Sequence, residues 1–449
     1  MTDRLAAVVL AAGMGTRMKS ELPKVLHPVA GKPMIDWVLD AAGSIGADPV
    51  VVVTAPGQDA LRRAVAGRAA SAVQEQPLGT GDAVKPARQA LAPMTDGTVI
   101  VLYGDTPMIT AATLSRMVEA RRGPDAPAVV VLGFEPADPA LYGRLVLGAD
   151  HSLERIVEAR DAGPVEREIR LCNGGVMAID AAVLFAMLDA IGNANVKGEY
   201  YLTDIVGIAR ERDRRCAVVT CSPIETMGVD SRAGLAAAEA AMQARLRAAA
   251  MDDGATLIAP ETVFLCHDTR LGRDVTVHPH VVFGPGVTVA DGVEIRSFSH
   301  LEGATVATGA IIGPYARLRP GAEIGSGAHI GNFVEIKNAV VEPGAKANHL
   351  TYVGDARVGA GANLGAGTIT CNYDGFAKHH TDIGAGAFIG SNSALVAPVT
   401  IGDGAIVGAG STVTRDVPAD ALAVVRGEDR IVPGGAARFR SRRANPGKD

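Results

Sequence analysis

Aromatic side chains are scarce in this chain, 4% of 449 residues with a single tryptophan. Cores must therefore be built from Val, Ile, Leu and Ala. Cysteine is sparse too. The five present (Cys172, Cys216, Cys221, Cys266 and Cys371) are odd in number and contain no C-x-x-C pair. That fits a reducing, cytoplasmic setting better than a disulfide framework or a zinc site. No run of about 18 apolar residues occurs, so no segment is expected to span a membrane. The apolar start, MTDRLAAVVLAAG, is interrupted by glycine and has no cleavage pattern behind it, so it reads as a first strand and not a signal peptide. Neither charge dominates, and a net charge of −6 argues against a general nucleic-acid or membrane surface. Glycine, by contrast, is plentiful at 53 residues, which predicts many tight turns. The length implies two or three domains.

What is present begins at residues 10–24, LAAGMGTRMKSELPK. They follow Ala6-Ala7-Val8-Val9-Leu10, which reads as a buried parallel strand. Ala11, Ala12 and Gly13 let the backbone after Leu10 approach a ligand, and Gly15 permits a turn that a Cβ would penalise. Arg17 and Lys24 set two cations beside that turn. Backbone N–H groups flanked by positive charge make a seat for an oligophosphate. The stretch is not a Walker A loop, since no Gly-Lys-Ser/Thr closes it, nor G-x-G-x-x-G, since Met18 stands where a third glycine would. An ordinary tight turn is the alternative.

Apolar runs at 49–54, 98–103, 128–134 and 217–221 alternate with helical spacing at 36–42 and 111–122. This predicts a Rossmann-like α/β domain, a parallel sheet covered on both faces, with ligands at the carboxyl ends of its strands. Tyr103-Gly104-Asp105 sits at one such end. A carboxylate there is costly unless paired, exposed at a crevice or holding a metal, and beside a phosphate turn Mg²⁺ is the natural occupant. Asp105 could instead cap the following turn. Gln74 and Leu78-Gly79-Thr80-Gly81 suit a base edge. Gly143, Glu158 and Asn173 offer donors and acceptors for sugar hydroxyls, although each alone could be a turn or surface residue.

In order, L-A-A-G-x-G-T-R-M, L-P-K, L-G-T-G, Y-G-D, I-V-E and N-x-G resemble the sugar-phosphate nucleotidylyltransferases. The resemblance implies in-line attack of a sugar 1-phosphate on the α-phosphorus of a nucleoside triphosphate, with Arg17, Lys24 and Mg²⁺ neutralising charge. It implies that Leu10, Ala11, Ala12, Gly13, Lys24, Gln74, Gly79, Thr80, Tyr103, Gly104, Asp105, Gly143, Glu158, Asn173 and Asp230 bind the nucleotide and sugar. Asp105 and Asp230 would hold the metal. The family's second metal position usually reads G-V-N, whereas Gly228-Val229-Asp230 supplies a carboxylate here.

Residues 231–252 are rich in helix formers, with Leu235, Met242 and Leu246 on one face. They predict a linker helix of about 30 Å, separating a domain at 1–230 from one at 253–449. In the second domain apolar residues recur every six positions. Val275, Val281, Val287 and Val293 are in step, as are Val306, Ile312, Leu318, Ile324, Ile330 and Ile336, then Ile383, Ile389, Leu395, Ile401, Val407 and Val413. One inward apolar residue per six marks a parallel β-helix with three hexads per coil, roughly nine or ten coils here. The pattern breaks at Lys346–Tyr352 and again at TCNYDGFAKHHT, which reads as a loop thrown out from a coil. His349 is the base candidate, because imidazole titrates near neutrality. A structural histidine in a turn is its plainer alternative. The basic end, 434–449, is expected to be a flexible, solvated tail. Its Arg438, Arg440, Arg442 and Arg443 could alternatively reach the phosphates of a ligand.

The stretches RLRPGAEIGSGAHIGNFVEIKNA, NHLTYVGDA, NLGAGTITCNYDGFAKH and GSNSALVAPVTIG, with the N-terminal motifs, resemble one family along nearly the whole chain. It is that of the bifunctional bacterial N-acetylglucosamine-1-phosphate uridylyltransferase and glucosamine-1-phosphate N-acetyltransferase. The resemblance implies a left-handed β-helix of hexapeptide repeats, a cytoplasmic homotrimer, and UTP and acetyl-CoA as co-substrates. The product, UDP-N-acetylglucosamine, feeds peptidoglycan and lipopolysaccharide synthesis. His349 would take the proton from the attacking amine. Arg319, Lys337, Tyr352 and Asn363 would hold glucosamine 1-phosphate, and Ala366, Asn372, Tyr373, Ser391, Ala409 and Arg426 would line the acetyl-CoA path between subunits. The alternatives are a single-activity sugar-1-phosphate nucleotidylyltransferase with a structural or regulatory β-helix, or a β-helical scaffold carrying a degenerate nucleotide fold.

Overall fold

The computed structural model describes residues 4–139, 142–427 and 430–444, the last three by backbone alone. They form two compact units, one ending at Leu246 and the other beginning at Arg247.

In the first unit the order is β1 (Leu5–Leu10), α1 (Met34–Ser44), β2 (Val50–Thr54), β3 (Ala70–Val73), β4 (Thr98–Tyr103), α2 (Ala111–Arg122) and β5 (Val129–Phe134). Then come a hairpin of β6 (Arg144–Leu147) and β7 (Leu153–Val157), β8 (Cys172–Asp180), β9 (Cys216–Thr220) and α3 (Arg232–Asp252). The main sheet runs β9-β5-β8-β4-β1-β2-β3. β1 is central, and all six of its residues are buried, as its unbroken apolar run requires. Alternate side chains feed opposite faces: Val8 joins one core cluster, Ala7 and Val9 the other. Leu10 stands in register with Tyr103. The glycine turn and Asp105 therefore leave adjacent strands side by side.

The sheet is not wholly parallel. β8 runs antiparallel to both β4 and β5, with its register broken between Asn173 and Met177. Gly174 and Gly175 interrupt the alternation there, which is why the segment reads as a turn in the sequence.

α3 does more than link. Ala238, Met242 and Gln243 are buried, and Met242 packs with Val29, Met34, Met108 and Val229. Glu239 Oε2 accepts from the Ala30 N–H at 2.6 Å, and Arg245 Nη2 donates to the Met108 carbonyl at 2.8 Å. Its apolar stripe thus closes the first unit.

The second unit is a parallel β-helix. Ten short strands stack on one face and fourteen make up the others. Every hexad residue named above is 2% exposed or less. The inward positions number two per six, however, not one. Val275 and Val277, Ala310 and Ile312, Ala328 and Ile330 all point in. Alternation along each short strand forces this, and alanine at the second position hides it from a search for large aliphatics. The rung carrying His349 is closed by Ala345 and Ala347, both fully buried. Residues beyond the coils form α4 (Gly435–Ala444). Within the basic tail, the side chains of Arg442 and Arg443 and residues 445–449 lie outside the described residues.

Candidate functional site

The first unit holds a cleft of ≈ 330 Å³ at the carboxyl ends of β1 and β4. That volume suits a small-molecule ligand. Leu10, Ala11, Ala12, Gly13, Lys24, Gln74, Gly79, Thr80, Tyr103 and Asp105 all line it. A Cβ on Gly15, at φ +59°, would fall 2.8 Å from Lys24 Cβ, so only glycine lets Lys24 fold back against the turn. Lys24 Nζ is ion-paired with Asp105 Oδ2. Val229 N–H donates to the Asp105 carbonyl at 2.9 Å, which sets Asp230 beside Asp105. Asp230 Oδ2 in turn lies 2.7 Å from Arg17 Nη2. Lys24 and Asp105 line the cleft, whereas the exposed Arg17–Asp230 pair is not among its lining residues.

Gly79 is also obligatory, since a Cβ at its φ of +123° would meet the Tyr200 carbonyl oxygen at 2.5 Å. Gln74 Nε2 donates to the Gly79 carbonyl at 3.2 Å and to Asp82 Oδ2 at 2.9 Å, fixing the loop. Burial, then the charges of Asp105 and Glu158, push the Tyr103 hydroxyl well above the usual phenol range, opposed by its hydrogen bond with Thr80. It stays a protonated donor. A Cβ on Gly104 would lie 2.9 Å from Ile35 Cδ1 and 3.2 Å from Val25 Cγ1, so a larger residue there would have to displace those side-chain ends. Gly143, Glu158 and Asn173 are not among the residues lining the cleft; Asn173 N–H donates to the Gly143 carbonyl at 2.8 Å, and Glu158 directly follows β7, which pairs with the strand beginning at Arg144.

Two residues here carry no mark in the motifs. Glu199 lines the cleft, and Thr203 Oγ1 donates to Glu158 Oε1 at 3.0 Å. Adjacent Tyr200 and Tyr201, in a chain so poor in aromatics, were the available signal.

In the second unit, His349 Nδ1 lies 2.6 Å from Asn332 Oδ1. With that oxygen accepting, the proton rests on Nδ1 and Nε2 keeps a free lone pair. Asn332 stands in register with His349 one coil below, and that spacing of 17 residues was its sequence signal. Around the next corner Lys337 lies against Lys378. That ammonium, with Arg319 further off and Asp355 opposing, holds the Lys337 pKa below the usual lysine value. Three cations in one place suit a phosphate. Lys378, inside the thrown-out loop, is the other residue the motifs missed. Tyr352 lies on the same sheet as Lys337, whereas Asn363 lies on the sheet that carries His349, in register with Lys346 and Phe388.

Asn372 Nδ2 donates to Asp355 Oδ2, and Tyr373, 61% exposed, donates to the Gly375 carbonyl at 2.7 Å. Ala366, Ser391 and Ala409 recur at one corner of successive rungs. Asn392 N–H donates to the Ala366 carbonyl and Gly410 N–H to the Ser391 carbonyl. Arg426 follows the strand Leu422–Ala423, one rung further on.

Comparison with known proteins agrees with both halves. Residues 7–168 match the MobA-like NTP transferase domain, and residues 303–338 and 380–415 match the bacterial transferase hexapeptide family of six repeats. The chain is 63% identical over 438 residues to the bifunctional protein GlmU of Rhodospirillum rubrum, covering 98% of each. It is 60% identical over 443 residues to that of Paramagnetospirillum magneticum, covering 99% of this chain and 98% of the relative. The counterpart from Sphingopyxis alaskensis is 57% identical over 439 residues, or 98% of this chain and 97% of that one. With both domains matched at this identity along the full length, the chain belongs to the GlmU family, bifunctional enzymes that combine uridylyl transfer and acetyl transfer in the synthesis of UDP-N-acetylglucosamine.

Proposed function

We propose that the cleft at β1 and β4 is where UTP and N-acetylglucosamine 1-phosphate react, and that the His349 corner is where glucosamine 1-phosphate is acetylated. In the first reaction a phosphate oxygen of the sugar 1-phosphate attacks the α-phosphorus of UTP. The bond to the β-phosphate breaks and pyrophosphate leaves. Positioning and charge neutralisation suffice, with no covalent intermediate. Arg17 and Lys24 supply cations, and the glycine turn supplies N–H donors. Gln74, Gly79, Thr80 and Tyr103 hold the nucleotide, and Gly143, Glu158 and Asn173 the sugar. Asp105 and Asp230 fit Mg²⁺, which commonly binds through one or two carboxylates plus substrate phosphate and would neutralise charge on the triphosphate.

In the second reaction the amine of glucosamine 1-phosphate attacks the acetyl-CoA thioester. His349 Nε2 takes the amine proton as the C–N bond forms, and the thiolate of coenzyme A departs. Arg319 and Lys337 hold the sugar phosphate, with Tyr352 and Asn363 placing the sugar. Ala366, Asn372, Tyr373, Ser391, Ala409 and Arg426 line the coenzyme path. The chain acts as a cytoplasmic homotrimer, and neighbouring subunits share the acetylation sites. Among the described residues no helix is long and apolar enough to cross a membrane.

The observation that supports this reading most is the convergence of Lys24, Asp105 and the Gln74–Thr80 loop on one cleft, while His349 stands in a separate unit. The test is to incubate the pure protein with glucosamine 1-phosphate, acetyl-CoA, UTP and Mg²⁺, then omit each in turn. UDP-N-acetylglucosamine, coenzyme A and pyrophosphate should form together. Absence of coenzyme A release would leave only the single-activity reading.

A further inference from the structure

The first coil of the β-helix holds a cluster of donors that neither proposed reaction uses. Cys266, His267 and Asp268 are consecutive, yet a tight turn gathers their side chains, and one ligand atom from each lies within 4.8 Å of the others. The Cys266 N–H donates to Thr269 Oγ1 at 3.0 Å, and the Thr269 N–H donates to the Cys266 carbonyl at 3.1 Å, which closes the turn. Cys266 is buried, and its Sγ stands 3.4 Å from His267 Nδ1. Asp268 Oδ2 accepts from the Gly286 N–H at 2.9 Å. Gly286 belongs to the next coil, where Val282 pairs with Phe264. The other carboxylate oxygen, Oδ1, is buried and has no hydrogen-bond partner. An oxygen shut off from water in this way carries a desolvation cost that a cation would offset. Among the described residues no other three such side chains come together.

We propose that Cys266, His267 and Asp268 bind one zinc ion, with water in the fourth position. The donor set decides the class of metal. Thiolate, imidazole and carboxylate are the ligands of Zn²⁺, whereas Mg²⁺ takes oxygen alone. Tetrahedral Zn–S and Zn–N bonds of about 2.3 and 2.0–2.1 Å put sulfur and nitrogen roughly 3.5 Å apart. Cys266 Sγ and His267 Nδ1 already stand at nearly that separation. Burial of the thiol is no obstacle, because a bound cation deprotonates it outright. The Gly286 N–H holds Asp268 from behind, the kind of outer contact that orients a metal ligand. Through that bond the ion fastens the first coil to the second and stabilises this end of the β-helix. The site is distinct from the Mg²⁺ pair Asp105 and Asp230 in its ligands and in the unit that carries it. A search for C-x-x-C pairs passes over it, because three residue types on adjacent positions supply the donors.

The test titrates the full, reduced chain with Co²⁺ in the presence of Mg²⁺. Thiolate-to-cobalt charge-transfer absorption should appear and saturate at a single Co²⁺ for each chain, and colourless Zn²⁺ should displace it. Carboxylates alone, as at Asp105 and Asp230, give no such band. Cys266→Ser should lose the band. His267→Gln and Asp268→Asn should each weaken Co²⁺ binding about tenfold or more, since even the outer partners of a metal ligand are worth that much. Serine is close to cysteine in size, and His267 and Asp268 are partly exposed, so the variants should fold and keep uridylyl transfer unchanged. Zn²⁺ should raise the unfolding temperature of the wild type and leave that of Cys266→Ser where it was. A wild type with no charge-transfer band overturns the inference, as does one whose unfolding temperature Zn²⁺ does not raise. So does a band that survives Cys266→Ser, which would put the ion on another cysteine. A titration unmoved by both His267→Gln and Asp268→Asn also overturns it, because the thiol would then be acting alone.

Discussion

Lys24 and Asp105 hold each other in place at the cleft. Their ion pair is mostly enclosed, 15% and 20% exposed, so each charge needs the other until phosphate and metal arrive. The Arg17–Asp230 pair is different, at 72% and 43% exposed. Such a pair contributes about 0–1 kcal/mol and yields readily to a triphosphate. Asp230→Asn should therefore leave the denaturation midpoint nearly unchanged, yet raise the Mg²⁺ concentration needed for half-maximal uridylyl transfer. His349→Ala should lower acetyl transfer by about 10²–10⁴-fold, the usual worth of a positioned base. Asn332 acts through the ring, so Asn332→Ala should lower kcat by about tenfold with little change in KM. The Lys337–Lys378 contact gives a pH signature. With its pKa lowered, Lys337 loses its charge at a pH where an ordinary lysine keeps it. The KM for glucosamine 1-phosphate should rise as pH climbs through that lowered value, and Lys378→Ala should move the rise to higher pH. At this scale the sequence shows which residue types can do chemistry, because Gly-rich turns and lone histidines stand out locally. Asn332, Lys378 and Thr203 escape notice because their partners lie 17, 41 and 45 residues away.

Among the elements, β1 and the hexads were legible because burial writes itself as periodicity. A strand covered on both faces must be apolar throughout, and a stacked coil must repeat its inward residues. β8 was not legible. Two glycines erase its alternation, and only pairing with β4 and β5 defines it as a strand. The second inward position of the hexad was missed for a related reason, since Ala310, Ala328 and Ala345 fill it without looking like anchors. α3 was recognised as a helix, but its latch onto the first unit could not be seen, because Val29, Met34 and Met108 come from distant segments. Met242 is fully buried among them. Met242→Ala should cost about 2–5 kcal/mol, read as a lowered denaturant midpoint for uridylyl transfer. An unchanged midpoint would mean that α3 is only a connector.

For the whole molecule, the chain divides into two compact units, and the proposed chemistry divides with it. The boundary falls inside α3, at Leu246, and not at the change of composition after Asp230. Composition marks where helix-forming residues begin, whereas packing decides which unit they join. Each proposed centre lies within one unit and draws on its own base or cations, so damage to one should leave the other working. The most direct test measures both half-reactions in two variants, His349→Ala and Asp105→Ala, of the full chain. His349→Ala should lose acetyl transfer and keep uridylyl transfer from N-acetylglucosamine 1-phosphate, and Asp105→Ala should do the reverse. If either variant loses both reactions while remaining folded, or loses neither, two independent centres on one chain is the wrong account.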